Sequence, residues 1–286
     1  MRDPRRAGYL FIALAASLWG SLGVVGRGVL AAGVSPLEVS FWRASIAGLL
    51  FAAQAVHAGR TRVEHEDRPA VGAFAAIGVW AFYLSYLNAV RDGGAALAAI
   101  LLYTAPAWVA LASVLWLRER MTVRKAGAVV LALIGVACVA VGGGTGAGTH
   151  IGVAAIGWGL ASGLTYAVYY LFGKRYFVRY DAATLFMYAL PLGALLMLPM
   201  VRFAPKSAAT WGAILWLAVV PTWIALQVYR AGLRRLEATR AVTVATLEPV
   251  VAAALAYIVW GETLAPLAYF GAALVLAGVL VTSSGE

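Results

Sequence analysis

Long hydrophobic stretches, separated by short segments rich in arginine, run along the whole chain. Hydrophobic residues make up 63% of it and charged residues 12%, whereas a soluble domain carries about 45–50% and about 25%. A helix that spans a membrane needs about 20 mostly apolar residues. The chain is therefore predicted to be an all-α polytopic membrane protein. We predict ten transmembrane helices, at 8–30, 36–57, 69–90, 94–117, 122–141, 151–173, 182–203, 208–230, 239–260 and 264–282.

Positive charges lie almost entirely on one side of these predicted helices. The amino-terminal segment and the loops after the second, fourth, sixth and eighth helices hold 17 Lys and Arg residues, whereas the opposite loops hold only Arg91, Arg202 and Lys206. Cationic loops stay in the cytoplasm, so both termini are predicted to be cytoplasmic, in a multi-pass protein of a bacterial cytoplasmic (inner) membrane. The net charge of +10 then reflects topology, and no nucleic-acid partner is expected.

The chain also repeats itself once, after a shift of 143 residues. When 75–136 is laid on 218–279, thirteen of 62 positions are identical. Each half holds five predicted helices, so the second half would enter the membrane from the other side. We predict two inverted five-helix repeats, at 1–141 and 151–286, joined by a Gly-rich external linker at 142–150. The identities hardest to obtain by chance are Trp80/Trp223, Tyr86/Tyr229, Arg91/Arg234, Pro106/Pro249 and Glu119/Glu262.

Matched motifs in the two halves carry a family resemblance. The first is Tyr103-Thr104-Ala105-Pro106, followed by Glu119, Gly127 and Gly135. The second is Leu247-Glu248-Pro249-Val250, followed by Trp260-Gly261-Glu262, Gly271 and Gly278. They resemble the EamA-type units of the drug/metabolite transporter (DMT) superfamily. The start of the chain, with Leu18-Trp19-Gly20-Ser21 and Arg27-Gly28-Val29, is similar to that of the YddG-type aromatic amino-acid exporters.

The resemblance implies a basket of ten helices around a central cavity that opens alternately to each side. It also implies that the first, third, fourth and eighth helices surround this cavity. Inverted repeats of this kind place the substrate near the middle of the membrane, between the halves.

Two ionisable side chains fall inside predicted helices, where they are costly and often functional. Pro249 removes a backbone donor and leaves the carbonyl of Ala245 without its helical partner. The carboxyl of Glu248 beside that carbonyl would hold a substrate ammonium or a proton, or would brace the helix as a protonated group. The planar fork of Arg43 suits a substrate carboxylate, with a structural ion pair or a snorkelling side chain as the alternative.

Aromatic and amide side chains complete the predicted binding site. Aromatic rings within helices suit a planar apolar substrate and cation–π contact with its ammonium, and ordinary packing is the alternative for each. Amides would orient a substrate or join helices by hydrogen bonds. Pro106 and Pro249 are the predicted hinges. The predicted substrate-binding residues, besides Arg43 and Glu248, are Trp19, Tyr83, Asn88, Tyr103, Trp223 and Gln227.

Three further charges are expected to be structural. Arg27 lies close to the end of a predicted helix, so its side chain should extend to the membrane surface. Glu119 and Glu262 occupy matched positions before helices, where a carboxylate complements the positive helix end.

The chain lacks the sequence signals of several other activities. There is no Walker-type phosphate loop, no HExxH motif and a single cysteine, Cys138, so neither an enzyme nor a cofactor or metal site is expected. The favoured function is a secondary transporter that exports amino acids, aromatic ones first, or related small metabolites, coupled to protons or to no ion. The alternatives are a DMT carrier of other amino acids, drugs or phosphorylated sugars, and a non-transporting membrane protein such as a receptor or lipid scramblase.

Overall fold

The computed structural model describes residues 4–115, 122–142, 152–177, 179–235, 244–245 and 247–283. Within these ranges the chain is helical apart from its connecting turns and loops. The predicted linker lies outside them except for Gly142, as does Glu119. The α-helices are α1 Pro4–Ala31, α2 Pro36–His57, α3 Arg68–Phe74, α4 Phe82–Leu102, α5 Ala105–Leu115, α6 Val123–Gly142, α7 Val153–Tyr176, α8 Ala182–Met197, α9 Ala208–Ala218, α10 Ala225–Leu233, α11 Leu247–Trp260 and α12 Pro266–Ser283.

Several helices have the length and apolar surface of membrane-spanning segments. Five in the described part of the chain are long and apolar enough to cross a membrane, and shorter apolar helices follow at Val129–Cys138, Leu247–Trp260 and Pro266–Gly278. Large apolar side chains such as Leu49 and Ile258 point outward, as a lipid environment permits. The five long helices are Arg6–Ala31, Pro36–His57, His65–Leu102, Ala182–Met200 and Ala208–Gly232.

The longest of these stretches is divided by a glycine. Gly94 has φ 85° and ψ 168°, which is not helical. A positive φ of this kind is readily adopted only by glycine. The break falls where the sequence predicts the fourth transmembrane helix to begin, so His65–Leu102 contains the third predicted helix and the start of the fourth.

Two π-helices interrupt the α-helices at matched positions of the halves. Ala75–Ala81 lies between α3 and α4, and Val219–Ile224 lies between α9 and α10. A shift of 143 residues lays the second stretch on 76–81. π-Helical turns are rare and are often found at functional sites.

Helices α2 and α8 pack along each other and position much of the site. Ser35 starts α2, because its Oγ accepts a hydrogen bond from the Glu38 amide at 3.2 Å and Pro36 follows it. Gly48 lets α8 approach, since a Cβ atom there would lie 2.8 Å from Cδ of Pro191. Elsewhere α6 packs on α12, α4 on α7, and α1 on α10 and α11.

Charged pairs hold the α2–α8 pair at both ends. Glu38, in the first turn of α2, forms a buried ion pair with Lys206, which follows α8. Asp181, the N-cap of α8, pairs with Arg60, which follows α2, and with Arg230 at 2.6 Å. Asp181 also falls on Glu38 when the chain is shifted by 143 residues. We call these two groups the Glu38 clamp and the Asp181 clamp.

Gly48→Ala should destabilise the protein, whereas Gly72→Ala should not. The added Cβ at 48 overlaps the Pro191 ring, and nothing lies within 4 Å at 72. Overpacking lowers the free energy of unfolding by about 1–3 kcal/mol. Ala in place of Gly at an open helical position raises it by roughly 0.5–1 kcal/mol. Thermal unfolding of the purified variants in detergent measures both, and equal melting temperatures would contradict the close α2–α8 contact.

The Asp181 clamp should weaken in acid. Hydrogen bonding to Arg60 is the largest cause that lowers the pKa of Asp181 below its ordinary value of 3.8. A lowered folded-state pKa stabilises the protein above pH 3.8, and this stabilisation is lost as the pH falls through the folded pKa. Asp181→Asn should therefore lower the melting temperature at pH 7 and have a smaller effect near pH 3. An equal effect at both pH values would contradict this assignment.

Candidate functional site

Arg43 lies in the interior, between the two π-helices. Its side chain is 5% exposed. Its Nε donates a hydrogen bond at 2.8 Å to Oγ1 of Thr222, which belongs to the second π-helix. Its guanidinium carbon lies 4.0 Å from the ring centre of Tyr83, two residues after the first π-helix ends. The second π-helix and the start of α4 thus fix the position of one charge.

This guanidinium has no carboxylate partner among the residues that the structure describes. No described carboxylate lies within ion-pair distance of Arg43, and no described acceptor binds its two terminal nitrogens. A buried charge is stable when it is paired and hydrogen-bonded. Among the described residues, the two terminal nitrogens of Arg43 therefore have room for a carboxylate from a ligand.

Glu248, Tyr103 and the carbonyl freed by Pro249 form a second buried group. The Tyr103 hydroxyl oxygen lies 2.7 Å from the Ala245 carbonyl oxygen and 2.9 Å from Oε2 of Glu248. A tyrosine hydroxyl has one proton to donate. Both contacts become hydrogen bonds when Tyr103 donates to the carbonyl and a protonated Glu248 donates to Tyr103. The group is thus arranged to hold a proton, or a cation in its place.

The two groups lie near one another without forming an ion pair. Arg43 is close enough to act electrostatically on Glu248, which is 7% exposed. The interior therefore presents a positive group and, separate from it, a carboxyl that becomes negative when it releases its proton. Two separate poles of opposite sign match a ligand that carries both charges.

A third group joins α2 to the eighth predicted helix through Gln54. This residue is not among the site residues predicted from the sequence. Its Oε1 accepts hydrogen bonds from Nε1 of Trp223 at 3.0 Å and from Nε2 of Gln227 at 2.8 Å. A polar residue in a predicted membrane span was the available signal. Gln54 also lies eleven residues after Arg43, which puts both on one face of α2.

The remaining predicted residues make other contacts within the described part of the chain. Trp19 packs on the ring of Tyr229, with the ring centres 5.1 Å apart. Asn88 donates to the Leu84 carbonyl of its own helix at 2.8 Å, so this contact provides no link to the buried groups. Pro106 lies in the first turn of α5, after the turn at Tyr103. Pro249 is the third residue of α11.

At one end of the interior, contacts of Arg27 and Glu262 join the two halves of the chain. Arg27 does not extend alone to the surface but forms an ion pair with Glu262. The Glu262 carboxylate also accepts hydrogen bonds from the amides of Ala95 and Ala96, at 3.2 and 3.1 Å. It therefore caps the helical segment that starts after Gly94, rather than the helix that follows it in sequence.

A cavity of about 260 Å³ lies at the other end, on the side of the Asp181 clamp. It reaches inward to Gln54 and Gln227, so the Gln54 group is approached from this side. The polar side chains that line it are Gln54, Arg60, Asp181, Thr184, Gln227, Arg230 and Arg234.

Comparison with known proteins finds relatives along the whole chain. An uncharacterized transporter of Archaeoglobus fulgidus is 32% identical over 279 residues, which cover 96% of each chain. A protein of Streptantibioticus cattleyicolor named as a probable terminal-alkyne amino-acid exporter is 28% identical, over 87% of this chain and 84% of its own. The inner membrane transporter YicL of Salmonella typhimurium is 25% identical, over 97% and 95%.

A solved crystal structure has the same fold. It matches with a TM-score of 0.64 at 20% sequence identity and covers 96% of this chain and 95% of its own. The family match occurs twice, at residues 6–141 and 153–284. The chain is a membrane transporter that belongs to the EamA-like transporter family of the DMT superfamily.

Proposed function

We propose that this transporter exports amino acids, with aromatic ones favoured, or related small metabolites, from a bacterial cytoplasm across the inner membrane. The observation that carries this proposal is the buried fork of Arg43, without a carboxylate partner among the described residues and within electrostatic reach of Glu248. An amino acid carries a carboxylate for the first group and an ammonium for the second. The planar guanidinium of arginine binds a carboxylate through two hydrogen bonds, which a lysine ammonium cannot match in geometry.

The surrounding rings fit the rest of such a substrate. Tyr83 already lies against Arg43, Tyr103 against Glu248, and Trp223 next to Thr222 in the second π-helix. Aromatic faces attract an ammonium by cation–π contact and pack on apolar rings. We therefore favour an aromatic side chain on the substrate.

Charge balance argues against two other substrate classes of this superfamily. A phosphorylated sugar would place a dianion close to the carboxyl of Glu248, and a cationic drug would lie close to Arg43. Buried like charges are strongly unfavourable. A zwitterion satisfies both poles at once. The name of the Streptantibioticus relative supports an amino acid as the substrate class.

The transport mechanism would be alternating access by two inverted five-helix halves, with both termini in the cytoplasm. Three features support this architecture: the double family match, the π-helices at matched positions, and the matched Glu38 and Asp181 clamps. In this arrangement the cavity faces the cytoplasm. Opening to the other side then requires the Arg27–Glu262 contact to separate, with bending at Pro106 and Pro249.

Purified protein in liposomes should exchange aromatic amino acids by counterflow. Liposomes loaded with phenylalanine, tyrosine or tryptophan should accumulate the labelled amino acid, while phenylalaninamide, which lacks the carboxylate, should not exchange. Arg43→Gln should reduce exchange at least tenfold, because a hydrogen-bonded charge contact contributes roughly 1.5–3 kcal/mol.

Two results would reject the substrate proposal. One is the absence of counterflow for every aromatic amino acid with correctly inserted protein. The other is equal exchange of phenylalanine and phenylalaninamide, which would exclude a carboxylate contact at Arg43.

Glu248→Gln should abolish transport or remove its dependence on pH. Glutamine keeps hydrogen bonding to Tyr103 but neither binds a proton nor attracts an ammonium by charge. The measurement is initial counterflow between pH 5.5 and 8.5. Glu66→Gln is the matched control, because Glu66 is exposed. Normal transport by Glu248→Gln at every pH, with normal expression, would contradict the proposed role.

A further inference from the structure

A track of polar residues and Trp223 leads along one helix face from the cavity mouth toward Thr222, the hydrogen-bond partner of Arg43. Trp223, Gln227, Arg230 and Arg234 follow one another at spacings of four, three and four residues, which places them on one helix face. They lie on the π-helix and α10, and Arg234 follows as the C-cap. A helix face of this composition, with two arginines at one end, is too polar to lie against lipid.

The opposite wall of the track belongs to α2. Gln54 bridges to Trp223 and Gln227, and Arg43 lies three turns away on the same face and bonds to Thr222. Polar contacts therefore join α2 to the eighth predicted helix at two places, Gln54 and Arg43. Along the eighth predicted helix, the neutral amide of Gln227 lies between Trp223 and Arg230.

The mouth of the cavity has more positive charge than its carboxylate neutralises. Arg60, Arg230 and Arg234 line it, and Asp181 is the one acidic side chain in that lining. Asp181 binds Arg60 and Arg230. No described carboxylate pairs with Arg234. Among the described lining residues, three guanidinium groups and one carboxylate leave a net charge of +2.

A concave wall of one sign concentrates counter-ions and raises their association rate. This cavity of about 260 Å³ adjoins a second one of about 540 Å³ that shares Arg60, Asp181 and Thr184 with it. The charge of the wall, rather than the cavity volume, therefore favours an anionic ligand.

We propose that the Arg60–Arg230–Arg234 cavity is a first binding site for the substrate carboxylate, from which it passes along Gln54 and Gln227 to Arg43. The ligand class is a small molecule with one carboxylate. The proposal rests on the proposed function for the identity of the substrate, but the anion site itself can be tested without transport.

The test uses the charge dependence of cysteine labelling. Ala231, which lines the cavity, is replaced by cysteine in a Cys138→Ser background. Inside-out membrane vesicles are treated with an anionic and a cationic methanethiosulfonate reagent. The anionic reagent should react about tenfold faster than the cationic one, relative to their rates with a free thiol. Equal relative rates would reject an anion site.

Arg234→Gln should reduce this preference several-fold, and Arg234→Lys, which keeps the charge, should retain it. Arg175→Gln is the matched control: it removes the same charge from an exposed residue whose side chain lies over Tyr176 and outside the cavity lining. An equal loss with Arg175→Gln would show a general surface potential and overturn the proposed site.

Protection experiments identify the ligand. Benzoate and phenylalanine should slow the labelling of cysteine 231 at least threefold, and phenylalaninamide should not. In reconstituted liposomes, slower labelling with phosphatidylglycerol but not with benzoate would assign the site to a lipid headgroup and reject the proposal. Protection by benzoate without any amino-acid counterflow would reject the proposed function and leave the carboxylate site in place. Counterflow without protection would reject only the site.

Discussion

A buried guanidinium without a described carboxylate partner is the constraint on which the interior depends. Arg43 is fixed by Thr222 and Tyr83, and each of these belongs to or adjoins a π-helix. A charge in this position is costly unless other groups solvate it. Helix α2 must therefore be held accurately against the second π-helix and α4. The close contact at Gly48 and the two clamps hold it against α8.

The Glu248 group adds a second requirement, which concerns protons. One Tyr103 hydroxyl faces two acceptors, the Ala245 carbonyl and the Glu248 carboxyl. A proton on Glu248 completes this network, and a substrate ammonium would occupy the same carboxyl. Proton and ammonium are thus competitors for one oxygen pair. In the proposed exporter this competition would couple the substrate to the pH of the compartment that the cavity faces.

The sequence predicts the membrane class and family, because hydropathy and motif spacing are local properties. It also indicates Arg43 and Glu248, since ionisable groups are rare in apolar helices. It misses Gln54 and Thr222 because their partners lie 169 and 179 residues away. The π-helices have no sequence signature. Glu262 complements a helix end as expected, but that end lies 166 and 167 residues earlier in the chain.

The two clamps differ in how much water reaches them. Glu38 and Lys206 are almost fully enclosed, whereas the Arg60 side chain is 67% exposed. Exposed ion pairs contribute little and are screened by salt, while enclosed pairs are screened much less. The α2–α8 pair is thus held more strongly at the Glu38 clamp than at the Asp181 clamp. Dissolved ions on the side of the Asp181 clamp can weaken its ion pairs. The salt concentration on that side of the membrane therefore helps to determine how easily α2 and α8 separate.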